Sequence, residues 1–116
     1  MGTVFDFAGN VLFVKIDGEL DHHVTDGLRE SVDRTFENKN MRHIVFDFSE
    51  VTLMDSSGIG FIMGRFKKTD EIGGKTLLVG TNPYVTKILN MAGVFSIVKR
   101  CKNREEAVRS TKMEVR

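Results

Sequence analysis

Cysteine occurs once in the 116 residues, at position 101, so no disulfide framework can form within the chain, and the lone thiol fits a reducing compartment. No stretch is apolar enough for long enough to span a bilayer. The beginning of the chain, where Thr3 to Ala8 reads as a strand, lacks the basic-then-apolar pattern of a secretory signal. These absences predict a cytoplasmic protein without membrane insertion. Charge of one sign is also missing: 17 Lys and Arg against 16 Asp and Glu leave a net charge of +1. Phosphate-backbone recognition needs a basic face, so the balance argues against a nucleic-acid partner. No repeat, low-complexity tract or linker is visible. With 41% apolar and 28% charged residues, 1–116 reads as one globular domain.

What is present alternates between two periods. Thr3 to Ala8 and Val11 to Ile16 are β-branched and aromatic runs separated by Gly9-Asn10, which predicts a hairpin. After Asp21, a residue suited to capping, Val24, Leu28, Val32 and Phe36 recur about once per turn and predict an amphipathic helix closed by Lys39-Asn40. Ile44 to Phe48 is a nearly continuous apolar run, as in a strand covered on both faces, and this strand is expected to be central. Beyond Val51 to Met54, the residues Ile59, Ile62, Met63 and Phe66 have the spacing of one buried helix face, and Gly73-Gly74 ends that helix. Thr76 to Val79 predicts a strand, Asn82-Pro83 a helix start with Val85, Ile88 and Leu89 facing inward, and Gly93 its left-handed end. Val94 to Val98 reads as a further strand, and Asn103 with Glu106 three residues later as the capping box of a last helix. The expected fold is therefore α/β: a mostly parallel central sheet, an antiparallel N-terminal edge hairpin and about four helices. The six methionines and nine phenylalanines are assigned to the core, with Met54 and Ile59 expected to be partly exposed.

The segment that carries chemistry is Leu53-Met54-Asp55-Ser56-Ser57-Gly58-Ile59-Gly60, two hydroxyls at the start of a helix directly after a strand. Asp and Ser are good N-caps, which accounts for them without any function. The alternative is an exposed hydroxyl whose phosphate would face the positive end of the helix dipole. Periodicity does not separate Ser56 from Ser57 as the acceptor.

Met54 to Gly60 resembles the central motif of the anti-sigma factor antagonists, members of the STAS domain family. Gly18-Glu19-Leu20-Asp21-His22-His23, Arg42-His43-Ile44-Val45, Ile72-Gly73-Gly74 and Asn90-Met91-Ala92-Gly93-Val94-Phe95 extend the resemblance over essentially the whole chain. The Gly18 to His23 and Asn90 to Phe95 segments look more like its sporulation branch than its general stress branch. The resemblance implies that Ser56 is the phosphoacceptor, with Ser57 the second choice. It also implies a partner-binding surface of Gly18, Glu19, Leu20 and Asp21 with Met54, Asp55, Ser57, Gly58 and Ile59. The implied partners are an anti-sigma factor that is also a serine kinase, and a dedicated serine phosphatase. No cofactor or metal is implied, and the chain is expected to be a substrate of these enzymes and not an enzyme itself. Asp21 is open to two readings, an ordinary helix cap or a contact for a basic residue on the partner.

Other readings are weaker. Gly74-Lys75-Thr76 imitates the end of a phosphate-binding loop, but Thr69 stands where a glycine is needed and a strand, not a helix, should follow. A serine hydrolase would want glycine two residues before its nucleophile, where Ser56 has Met54. His22-His23 are adjacent, so they point about 100° apart on a helix and make a poor metal pair. Asp55 as a phosphoaspartate lacks the acidic pair needed to hold magnesium.

Overall fold

The computed structural model describes residues 2–112. Five strands form one sheet in the order β1-β2-β3-β4-β5. Strand β1 (Gly2–Ala8) runs antiparallel to β2 (Val11–Leu20), turning at Gly9, whose φ of 59° is the left-handed conformation a tight hairpin needs. β2, β3 (His43–Met54), β4 (Thr76–Val79) and β5 (Lys99–Cys101) are mutually parallel. β3 is the middle strand, and its Ile44, Val45, Phe46 and Phe48 are all buried, as the unbroken apolar run requires.

The two faces of the sheet are covered unequally. Leu12, Val14, Ile16, Phe46 and Phe48 point into the larger core, closed by α1 (Thr25–Asn38), α2 (Ser56–Glu71) and α3 (Pro83–Met91). Val11, Phe13, Val45, Leu77 and Val79 point the other way, where α4 (Arg104–Lys112) contributes Ala107. Helix α3 begins as its sequence prescribes, with Asn82 accepting a 2.7 Å hydrogen bond from the Val85 amide and Pro83 in the first turn.

Three expectations need correction. Val94 to Val98 is not a strand: after Gly93, at φ 77°, Val94–Ser96 make one turn of 3-10 helix, and β5 starts only at Lys99. The apolar run reads as a strand, but Val94 and Val98 are buried with Ile97 exposed between them, and a Val98 amide bond of 2.8 Å to the Val94 carbonyl curls the segment instead. The fully buried stripe of α2 is Gly58, Phe61, Ile62, Arg65 and Thr69, while Ile59, Met63 and Phe66 flank it half-buried. Ile62 is buried as expected; the stripe extends to Arg65 because that side chain finds Asp33 of α1 at 2.8 Å and can turn inward as a paired ion. The last helix is capped by Asn103, which accepts from the Glu106 amide at 2.9 Å, but the Glu106 carboxylate takes the Lys102 amide and not that of the cap residue itself.

At the strands' N-terminal end the connections are tight. A Cβ on Gly74 would lie 1.8 Å from the Arg42 carbonyl oxygen, so only glycine fits there. Beside it, buried His43 accepts a 3.0 Å hydrogen bond at Nδ1 from the Lys75 amide. Burial, with Arg42 and Lys75 nearby, holds the His43 pKa below its ordinary 6.5. The folded chain thus favours the neutral ring, and protonation removes the acceptor. The sign follows: this contribution to stability is fully present above the unfolded-state pKa and is lost as pH falls through that value toward the folded one. Thermal melts should therefore show the wild type losing more stability between about pH 7.5 and about pH 5.5 than His43→Asn, whose side chain does not titrate. Identical pH dependence in the two would remove His43 from the acid response.

Candidate functional site

The site forms where two neighbouring parallel strands end. β2 would diverge from β3 after Asp17, but the pairing shifts register twice, between Lys15 and Asp17 and between Gly18 and Glu19, and Gly18 sits at φ 101°. A side chain is strained in that conformation; glycine is not. The bulge lets Glu19 pair with Leu53 and Leu20 with Met54, so the β2–α1 and β3–α2 connections leave the sheet side by side.

Asp55 joins them. It is the N-cap of α2, extended at φ −107° and ψ −174°, and its Oδ1 accepts from the Ser57 amide at 2.9 Å and from the Ser57 hydroxyl. Its Oδ2 accepts from the His22 amide at 3.1 Å and lies 3.3 Å from His22 Nδ1. The Asp55 amide in turn donates to the Leu20 carbonyl at 3.3 Å. The hydrogen bond from Ser57, followed by those from His22, holds the Asp55 carboxyl well below the usual carboxylate range, so it is ionised at any physiological pH. One side chain therefore caps the helix and ties it to the segment after Leu20.

The two serines differ in environment. Ser57 is half-buried with its hydroxyl committed to Asp55. Ser56 is exposed in the first turn of α2, and its hydroxyl makes no hydrogen bond to another described residue. Gly58 packs under the turn, where a Cβ would come 2.4 Å from Met54 Cγ and 3.3 Å from Leu20 Cδ2. Leu20 and Met54 are accordingly buried, at 0% and 5% exposure, which overturns the expectation that Met54 is partly exposed. They shape the surface from beneath. Glu19 is exposed, and Gly18, Asp21, Asp55 and Ile59 are half-buried. The exposed apolar side chain here is one the motif reading passed over: Leu53, 47% exposed, next to Met54 on the opposite side of the strand. Strand alternation carried the signal, since a buried Met54 turns Leu53 outward.

Asp21 is not the N-cap of α1; Val24 holds that position and makes no side-chain capping bond. Asp21 instead closes the turn before the helix, its Oδ1 accepting from the His23 amide at 2.9 Å and its carbonyl from the Val24 and Thr25 amides at 3.1 Å each. His22 and His23 stack with ring centroids 4.1 Å apart. Among the described residues no histidine nitrogen hydrogen-bonds a serine hydroxyl, and no cluster of three metal-ligating side chains occurs. No helix of the described residues is long and apolar enough to cross a membrane. The Gly74-Lys75-Thr76 segment leads into β4, as the sequence reading required for setting a phosphate-binding loop aside.

This arrangement belongs to a recognisable class. The model of the STAS domain matches residues 4–107, and the chain belongs to that family. It is 38% identical over 105 residues to the anti-sigma F factor antagonist of Paenibacillus polymyxa, an alignment that covers 90% of this chain and 88% of that protein. Its fold matches that of the anti-sigma factor antagonist SpoIIAA in its unphosphorylated form with a TM-score of 0.84 at 24% identity, covering 99% of this chain and 100% of the other. The phosphorylated form of the Bacillus cell fate determinant SpoIIAA matches with a TM-score of 0.74, also at 24% identity, over 94% of this chain and 98% of that one.

The role of Asp55 is open to a direct check. Asp55→Ala should lower the melting temperature and shift the His22 and Ser57 amide resonances most, whereas Asp55→Asn, which keeps one acceptor oxygen for the α2 cap but turns an NH2 group toward the His22 amide, should lose less stability and shift the His22 amide more than that of Ser57. Equal losses in the two variants would show that the charge, not the cap, holds the segment.

Proposed function

We propose that this protein is an anti-sigma factor antagonist working by partner switching. Its unmodified form binds an anti-sigma factor that is also a serine kinase, so that the sigma factor held by that kinase is released. Transfer of phosphate to Ser56 ends the binding, and a serine phosphatase restores it. The chain itself is the substrate in this cycle and supplies no catalysis. The observation that carries the reading is the contrast between the serines: an exposed, unbonded Ser56 hydroxyl beside a Ser57 hydroxyl already engaged by Asp55. The likeness to an antagonist of anti-sigma F favours the sporulation sigma factor F over a general stress sigma factor as the one released.

The charge argument supports exclusion over refolding. Phosphate adds about −1.5 to −2 charges to a surface that must lose its water when a partner docks. Locally two effects oppose each other, since the α2 N-terminus attracts phosphate by about 0.3–1 kcal/mol while the ionised Asp55 next to it repels it. The domain keeps its shape and the interface rejects the charge. Gly18, Glu19 and Asp21 lie on that interface because Asp55 holds their segment against the switch helix.

Incubation with the cognate kinase and ATP should add one phosphate to the wild type and none to Ser56→Ala, and Ser56→Asp should bind the kinase at least about tenfold more weakly, a loss of about 1.4 kcal/mol. Stoichiometric phosphate on Ser56→Ala would sink the assignment. Asp21→Ala separates contact from scaffold: kinase binding should weaken far more than the melting temperature drops, and parallel damage to both would leave only the turn-closing bond to His23.

A further inference from the structure

Edge strands of natural sheets are blunted by proline, lysine or a bulge. β1, the end strand beside β2, has none of these. It reads Gly2-Thr3-Val4-Phe5-Asp6-Phe7-Ala8, with Val4 62% and Phe7 43% exposed, and it pairs with β2 one to one from Gly2↔Asp17 to Ala8↔Val11. The other end strand, β5, has three residues, two of them the basic Lys99 and Arg100. Alternate residues of an antiparallel edge strand turn their N–H and C=O groups away from the neighbouring strand. Phe7 belongs to the outward set, since its amide donates to the Asp6 carboxylate at 2.9 Å. Phe5 and Thr3, two and four residues back, therefore point the same way, and among the described residues no hydrogen bond reaches their outward groups. Asp6, the one charge of the strand, is balanced by Arg104 Nη1 at 3.2 Å.

We propose that β1 is a self-association edge, on which two copies of this chain pair their β1 strands antiparallel about a two-fold axis at Phe5 and join their sheets into one. The outward groups dictate the register. Pairing that uses the whole strand sets Phe5 opposite Phe5 of the second copy and Thr3 opposite Phe7 of the second copy, all in the outward set. The Phe7 amide then exchanges the Asp6 carboxylate for a backbone carbonyl, and the two Phe5 rings meet on the face they share with Val14. On the other face Val4 falls opposite Asp6 of the second copy, with Lys15 next in the row as the β2 neighbour of Val4. Lys15 forms no ion pair among the described residues, and it reaches over Val4 to that carboxylate once on each side of the axis. This charge match singles out a second copy over an arbitrary strand, and the interface is isologous, as a two-fold requires. Ser56 lies beyond the end of β3, two strands in from this edge, so the pairing stands or falls independently of what Ser56 does.

Sedimentation equilibrium of the full chain from about 10 µM to about 1 mM should show a reversible monomer–dimer transition. In a mixture of isotopically labelled and unlabelled chains, intermolecular contacts should join Thr3 to Phe7, as the antiparallel register requires. Thr3→Pro removes an outward donor without touching the ladder to β2, and should abolish the dimer while the melting curve stays cooperative. Val4→Asp sets a carboxylate beside Lys15 of its own chain but opposite Asp6 of the second copy, so it should dimerise at least about fivefold more weakly than Val4→Asn. A protein that stays monomeric throughout would overturn the proposal, and so would a dimer whose contacts lie elsewhere or one indifferent to Thr3→Pro. Protection of the Thr3 and Phe5 amides at every concentration in a monomer would assign the edge to another segment of the same chain, which overturns it as well.

Discussion

The arrangement at the Ser56 end of this molecule depends on one carboxylate. Asp55 stands between two segments that are 33 residues apart in sequence at His22, and its two oxygens are divided between them: Oδ1 serves the first turn of α2, Oδ2 the chain beyond β2. Backbone pairing brings the segments near each other, through Leu20 opposite Met54, but pairing alone ends with the strands. Past that point no ladder holds the connections together, and a side chain must. An ionised acceptor is suited to the task because hydrogen bonds to a charged acceptor are roughly twice as strong as neutral ones. Ser57 contributes its hydroxyl to the same carboxylate, which leaves Ser56 as the unengaged hydroxyl of the pair.

Asp55 can position α2 only if the helix has a fixed seat along the rest of its length. That seat has two parts. Phe61 and Ile62 are buried against the sheet, with the Phe61 ring 5.3 Å from that of Phe46. Arg65 is anchored to Asp33 on α1 at 2.8 Å, and Lys68 reaches Glu37 at 2.8 Å one turn further along. Pairing α1 to α2 in this way also fixes the segment before α1, whose turn Asp21 closes. The two connections beside Ser56 are thus held at both ends, by Asp55 where they begin and by the α1–α2 contact behind them.

Most of the element order was legible in the sequence because each element announces itself by a local cause: Gly9 for the hairpin, Asn82-Pro83 for the start of α3, the continuous apolar run for β3. What escaped has causes that lie outside the local window. Nothing near Arg65 says that Asp33, on another helix, will make its burial tolerable, so the expected face of α2 holds Ile62 and the half-buried Ile59, Met63 and Phe66 but leaves out Arg65. Val94 to Val98 has strand composition, but what decides its conformation is the left-handed Gly93 before it and the burial of both valines on one side. Asp21 reads as a helix cap because its residue type fits, while the helix waits until Thr25 for reasons of turn geometry. At the site, the grouping of Gly18 to Asp21 with Met54 to Ile59 was reached by family likeness alone. The register shift at Gly18 and the double use of Asp55 are the physical reasons for it, and neither is visible without coordinates.

These anchors also bear on how a phosphate on Ser56 would act under the proposed cycle. To relay a change through the domain, the added charge would have to move α2. Against it stand the burial of Phe61 and Ile62, about 1.5–3 kcal/mol each. Parting the buried Arg65 from the half-buried Asp33 adds to that restraint. The electrostatic drive at the helix N-terminus is about 0.3–1 kcal/mol and is opposed by Asp55. The drive is smaller than the restraint by severalfold, so the helix stays where it is. The same charge confronts a docking partner under different terms, because burying an ion without a matched counter-charge has an effective penalty of several kcal/mol. Under the proposed cycle, a modification too weak to move the domain that carries it would still be strong enough to empty its interface. What the proposed cycle asks of the fold is a hydroxyl held in a fixed place, and Asp55, by engaging Ser57 and the chain beyond Leu20 at once, leaves the exposed Ser56 hydroxyl on a fixed helix start.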